Sequence, residues 1–137
     1  LIEIFADTGH WVALLIPEDQ LHEAALSFGP KISEDKRVVT SELVLIELLN
    51  YVSAIDPSYR LDAAKIWTWL DSAPSVIIVP TSGDLLKQAR TLYEKFSDKK
   101  WSLTDCASFT IMRDRKIHDA LTHDHHFEQA GFRALLR

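Results

Sequence analysis

The sequence holds one cysteine, Cys106, and one methionine, Met112, in 137 residues. A lone thiol excludes an internal disulfide and suits a reducing compartment, so a cytoplasmic protein is the expectation. No apolar run approaches the roughly 20 residues of a membrane span, and the first residues carry neither the basic region nor the cleavage site of a secretory signal. A membrane partner is not expected. Cations are also in short supply, since 15 Lys and Arg stand against 20 Asp and Glu, a formal net charge of −5. That balance offers no general basic surface, so a nucleic-acid partner would need a local patch or bound metal. Three catalytic signatures are missing: a Gly-x-Ser-x-Gly elbow, a Cys-based family motif and a Gly-x-x-x-x-Gly-Lys phosphate loop. Nor is there an internal repeat, a low-complexity tract or an interdomain linker, and residues 1–137 read as a single domain.

What is present is 47% hydrophobic residues, arranged in alternating strand and helix patterns. Ile2, Ile4, Phe5 and Ala6 form the apolar run of a buried strand that ends at Asp7. Thr8-Gly9 breaks the run, and Trp11 to Ile16 reads as a helical turn or two. Gln20 to Phe28 has helical spacing and is ended or interrupted by Gly29-Pro30, with Ile32 a candidate for a further turn. Arg37 to Thr40 reads as a strand. Ser41 to Ser53 follows as a helix whose Leu43, Val44, Leu45, Ile46, Leu48, Leu49 and Val52 leave no polar face, the pattern of burial nearly all round. After a turn at Asp56-Pro57-Ser58 comes a helix over Tyr59–Leu70, then a continuous β-branched run, Ser75–Val79, expected as a central strand. A helix capped by Thr81 or Ser82 runs to Phe96, and a loop, Ser97 to Leu103, leads to a helix from Thr104 to Arg115. A short strand at Asp119–Thr122, a short helix within His123–Ala130 and a last strand at Phe132–Leu136 complete the chain. This order calls for an α/β fold of three layers, with helices on both faces of a central, mostly parallel sheet of four to five strands.

Four acids stand out, each with an ordinary reading beside a functional one. Asp7 sits at a strand's carboxyl end, where ligands collect in parallel sheets, yet Asp also favours helix caps. Glu47 has Leu43, Val44, Asn50 and Tyr51 as helical neighbours. Burying it ionised would cost several kcal/mol without a cation or donors, unless it faces solvent or bonds a neighbour. Asp105 starts a helix, and Ser102-x-x-Asp105 has the form of a capping box. Asp124 lies in Thr122-His123-Asp124-His125-His126, where either the carboxylate serves as a hard oxygen ligand or the histidines His123, His125 and His126 form a zinc-type cluster, or sit on a surface turn. Gathered together, four carboxylates would repel unless divalent cations neutralised them, and oxygen ligands favour Mg²⁺ or Mn²⁺.

The segments Phe5-Ala6-Asp7-Thr8, Thr40 to Asn50, Ser102-Leu103-Thr104-Asp105-Cys106-Ala107-Ser108-Phe109, and Ala120 to Phe127 with Ala130-Gly131-Phe132 resemble, in order and over nearly the whole chain, the PIN-domain nucleases, and among them the VapC-type toxin ribonucleases. The resemblance implies that Asp7, Glu47, Asp105 and Asp124 form a pocket for Mg²⁺ or Mn²⁺ and that the chain cuts single-stranded or loop RNA. It implies hydroxyl roles for Thr8 and Thr104, a homodimer, and neutralisation by a small antitoxin protein. Gly9 departs from the family, where serine is common, and Glu42 is a nearby alternative to Glu47 whose first-turn position suits helix capping.

Metal-assisted hydrolysis without a covalent intermediate is the expected chemistry, with Asp7, Asp105 and Asp124 as ligands and Glu47 completing the shell or orienting water. Lys99, Lys100 and Trp101 are candidates to guide RNA by phosphate contact and stacking, against an inward-packed Trp101 in a solvated loop. The rival readings are a non-catalytic interaction module, an RNA-processing nuclease outside a toxin–antitoxin pair, and an aspartate-nucleophile phosphatase, which wants a second Asp where Gly9 stands.

Overall fold

The patterns fold as the series β1 Ile2–Ala6, α1 Thr8–Leu15, α2 His22–Ser27, β2 Lys36–Ser41, α3 Glu42–Ile55, α4 Tyr59–Ser72, β3 Val76–Val79, α5 Gly83–Lys95, α6 Leu103–Arg115, β4 Asp119–Leu121, α7 His125–Gln129 and β5 Arg133–Ala134. The structure is a computed structural model that describes residues 2–29 and 35–137. Pro30 and Ile32, the expected helix stop and extra turn, lie outside the described residues.

Five strands pair in parallel in the order β3-β2-β1-β4-β5. The chain steps outward from β1 to β2 and β3, then crosses back to β4 beside β1 and on to β5. Right-handed crossovers in these two directions put α1 to α4 on one face and α5 to α7 on the other. The packing agrees, with α1 on α2 and α3, and α3 on α4, while α5 packs on α6 and α6 on α7. This is the expected three-layer arrangement. β1 and β4 flank the point where the strand order reverses, and their carboxyl ends open the crevice in which such folds bind ligands.

Burial explains why the apolar runs became strands. Phe5, Ala6, Val39, Ala120 and Leu121 are fully enclosed between the helical layers. At the carboxyl ends, Trp11 Nε1 donates to Thr40 Oγ1 at 3.3 Å, and that hydroxyl donates to the Ala6 carbonyl at 2.9 Å, tying α1, β2 and β1 together beneath the crevice.

Four local expectations are corrected. α1 begins directly after Asp7, with Thr8 and Gly9 inside its first turn. α3 is not buried all round: Val44, Leu45, Leu48 and Val52 face the core, but Ile46, Tyr51 and Ile55 are exposed, on the part of the helix that the sheet, α1, α4 and α6 leave uncovered. β3 is an edge strand paired only with β2, so its apolar residues are half-buried. β5 is reduced to Arg133–Ala134.

The α6–α7 side is held by aromatic rings. Phe127 meets Phe109 edge-on with centroids 4.9 Å apart and lies 6.4 Å from Phe5 of β1, while Phe109 in turn touches Trp101 at 5.0 Å and Phe132 at 5.7 Å. Phe127 is fully buried in the short helix that follows Asp124. We expect Phe127→Ala to cost about 3–5 kcal/mol in urea-induced unfolding. A loss below about 1 kcal/mol would mean that the cavity collapses and that this ring is not what seats α7.

Candidate metal centre

Asp7 is the N-cap residue of α1, but its side chain makes no capping bond to that helix. Instead its Oδ2 accepts a hydrogen bond from the Thr122 hydroxyl at 2.9 Å, across the junction of β1 and β4. The same Thr122 oxygen accepts from the Asp124 amide at 3.0 Å. One buried hydroxyl therefore joins the first acid to the loop carrying the fourth. Asp124 caps α7, its Oδ1 accepting from the His126 amide at 2.9 Å.

Asp105 is both cap and site residue. It completes the capping box with Ser102, whose amide donates to Asp105 Oδ2 at 3.1 Å. That oxygen also lies 3.2 Å from His126 Nδ1, and the same nitrogen is 3.2 Å from Asp124 Oδ1. With its proton on Nδ1, the ring bridges the two acids. Glu47, half-buried on α3, bonds neither Asn50 nor Tyr51; its Oε1 accepts from the Thr8 hydroxyl of α1 at 2.6 Å.

All four acids line one cleft of about 590 Å³, together with Thr8 and Thr122. Asp19 adds a further carboxylate to its wall. Arg137 also reaches it, but the guanidinium is engaged with Glu128 at 2.9 Å and the His123 carbonyl at 3.3 Å. Burial pushes the Asp7 carboxyl up to about 7, and the charges of Asp105 and Glu47 push the same way, against the neighbouring Thr8 backbone amide and the hydrogen bond from the Thr122 hydroxyl. Asp105 is raised chiefly by burial and then by Asp124, offset by the Ser102 amide and by His126. A cleft so loaded with anions, with oxygen as its main donor, fits a hard divalent cation. His125 and His126 add nitrogen donors beside Asp124, their ligand atoms lying within 4.8 Å of one another, a set that suits a borderline ion such as Zn²⁺.

The other anticipated residues fall differently. Thr8 lines the cleft, but Thr104, in the first turn of α6, does not. Lys99 and Lys100 are exposed in the segment before α6. Trp101 is 5% exposed, packed against Phe96 and Phe109, with its Nε1 donating to Gln129 at 2.9 Å. Its ring is packed inward in the aromatic cluster and leaves little face for base stacking. His126 is not a turn-surface residue but largely enclosed, its side chain 18% exposed between two acids, and of the expected histidine cluster it groups with His125 beside Asp124. Thr122 was not anticipated at all. Its signal was a hydroxyl-bearing residue at a strand's end two positions before an acid, the spacing of an Asx- or ST-type turn. Glu42 bonds the Thr81 amide away from the cleft, so Glu47 is the acid of α3 that belongs to it.

The sequence and the fold both have known relatives. A family description, PIN domain, matches residues 4–133. The 23S rRNA-specific endonuclease VapC20 of Mycobacterium tuberculosis, from two strains, is 30% identical over 132 residues, covering 94% of this chain and 95% of the relative. The crystal structure of Mycobacterium tuberculosis VapC20, described as a sarcin–ricin loop cleaving toxin, superposes with a TM-score of 0.82 at 29% identity, covering 94% of this chain and 95% of that one. VapBC2 from Rickettsia felis, bound to a DNA fragment from its promoter, shares the fold at a TM-score of 0.64 and 14% identity, with 97% of both chains covered. The chain belongs to the PIN domain family of nucleases, in which it is a homologue of the VapC-type endoribonuclease toxins.

Proposed function

We propose that this chain, acting as one catalytic unit, hydrolyses phosphodiester bonds in single-stranded or hairpin-loop RNA with Mg²⁺ or Mn²⁺, and that it is the toxin of a toxin–antitoxin pair. The observation that carries the reading is the convergence of Asp7, Glu47, Asp105 and Asp124, from four separate elements, on one cleft. The near full-length likeness to an endonuclease named for 23S rRNA supports a ribosomal RNA loop as the substrate, met in the cytoplasm that a single buried thiol suits.

Asp7, Asp105 and Asp124 would hold the cation, with His126 keeping the last two carboxylates in register. Bound there, a divalent ion lowers the pKa of water and neutralises charge developing on the phosphate. Glu47, fixed by Thr8 and half exposed, either completes the ligand set or accepts the proton of the attacking water. The RNA backbone meets Lys99 and Lys100 before α6. The exposed Ile46 and Ile55 of α3 and Leu61 and Trp69 of α4 support burial against another chain, a second copy in a homodimer or a small antitoxin.

Purified protein should cleave a ribosomal hairpin-loop RNA in Mg²⁺ or Mn²⁺ and not in chelator. Asp7→Asn and Asp105→Asn should each lower the rate roughly a hundredfold or more, since even groups that only support metal ligands cost 10–100-fold. Undiminished cleavage by both variants would sink the assignment.

Asp7 also sets a pH dependence for the metal-free protein. Its folded-state value of about 7 lies above the ordinary 3.8, so between them the native state binds more protons than the unfolded chain and stability falls as pH rises. The Asp7 contribution has a limiting slope of roughly 1.4 kcal/mol per pH unit. Denaturant titrations in chelator should therefore show Asp7→Asn gaining on the wild type from pH 5 to 7, and saturating Mn²⁺ should remove that gain. Parallel pH curves for the two proteins would show that Asp7 does not titrate in this window.

A further inference from the structure

A second depression, of about 1020 Å³, lies between the C-terminal half of α5 and the segment joining it to α6. Arg90 and Tyr93 line it from α5, and Lys99, Lys100, Trp101 and Ser102 from the connecting segment. Its floor is rigid, because the Trp101 indole is wedged between Phe96 and Phe109 with centroids 4.9 and 5.0 Å away and bonded to Gln129. Its rim is wet. Arg90, Lys99 and Lys100 are exposed, and Tyr93 leaves 55% of its surface in solvent. Glu94 also faces the groove, and the Asp98 carboxylate lies 3.4 Å from the Lys99 ammonium, so the positive excess is local and modest. It is nonetheless cationic beside a cleft that is strongly anionic, on a chain of net charge −5.

The two depressions each draw a lining residue from the capping box at the N-terminus of α6. Ser102 lines the groove, its amide donating to the Asp105 carboxylate at 3.1 Å and its hydroxyl accepting from the Asp105 amide at 3.0 Å, and Asp105 lines the cleft. A polyanion with one phosphate at the carboxylates would continue past this helix end toward the side of the molecule that carries the groove's cations. Lysine is depleted in protein–protein interfaces, whereas cations beside an exposed aromatic face are how unpaired nucleotides are held. We infer that this groove holds the single-stranded RNA flanking the scissile phosphate, with Tyr93 stacking on an unpaired base and Arg90, Lys99 and Lys100 contacting phosphates. The inference rests on the ribonuclease reading above and assigns to Tyr93 the stacking that buried Trp101 does not provide.

The test is fluorescence anisotropy of a labelled, mixed-sequence single-stranded oligoribonucleotide in an Asp7→Asn background with chelator present, so that cleavage is suppressed during the measurement. Tyr93→Ala should weaken binding about fivefold or more, and Tyr93→Phe should preserve it. Lys99→Ala with Lys100→Ala should lower the slope of log affinity against log salt by about 0.7 for each phosphate no longer neutralised. In the otherwise native chain these substitutions should leave Mn²⁺ affinity, read by isothermal titration, unchanged. RNA affinity and salt slope matching the parent in both Tyr93→Ala and the double lysine variant would overturn the groove assignment, even if cleavage is lost in Asp7→Asn and Asp105→Asn. Cleavage persisting in those two would instead overturn the catalytic reading on which it rests.

Discussion

Mutual repulsion among carboxylates at the junction of β1 and β4 is the constraint around which the rest of the molecule is built. The fold brings Asp7 from the end of β1, Glu47 from α3, Asp105 from the first turn of α6 and Asp124 from the cap of α7 to the walls of one cleft. No sheet of this kind needs four acids at its carboxyl edge for stability. A carboxyl held up to about 7 shows that the neighbouring charges and the burial are only partly compensated. Such uncompensated charge marks a functional site more often than a structural one.

The compensation that does exist comes mostly from neutral donors. Thr122 serves Asp7, Thr8 serves Glu47, the Ser102 amide serves Asp105 and the His126 amide serves Asp124. A hydrogen bond of this kind contributes about 1 kcal/mol net, and up to about 3 kcal/mol when the acceptor is charged. Taking one ionised carboxylate out of water costs several kcal/mol after relaxation. The donors therefore orient the acids without neutralising them. Orientation without neutralisation is what a cation site requires, since a fixed Lys or Arg bonded to each acid would compete with the ion.

Much of this was legible in the residues. The element order follows from the alternation of β-branched runs with helical periodicity, and the acids are conspicuous because each interrupts an apolar stretch or starts a helix. Exposure was less legible. Apolar residues all round α3 read as complete burial, but periodicity cannot say how many neighbours a helix has, and here Ile46, Tyr51 and Ile55 keep about half of their surface in solvent. For β3 the same logic fails: a continuous apolar strand looks central, yet strand order depends on crossovers rather than composition. Trp101 beside two lysines has the local form of a nucleic-acid contact, and only the distant partners Phe109 and Gln129 reveal that its ring points inward. Thr122 was hidden for the same reason, because its importance lies in an oxygen shared between residues 115 positions apart and two positions apart.

Asp105 shows why capping and catalysis need not be rival explanations of an acid. Its Oδ2 closes the capping box that starts α6 while the same carboxylate lines the cleft, so the helix fixes the acid as firmly as the acid fixes the helix. Asp7 is the opposite case, an N-cap residue by position whose side chain is given to Thr122 instead of to α1. Losing the charge at Asp7 relieves a buried anion, whereas losing the carboxylate at Asp105 also removes the reciprocal hydrogen bond of the capping box, worth about 1 kcal/mol. The site is therefore assembled from one acid that the fold tolerates at a cost and one that the fold uses. Equal losses of activity at the two positions would arise from different balances of stability and chemistry.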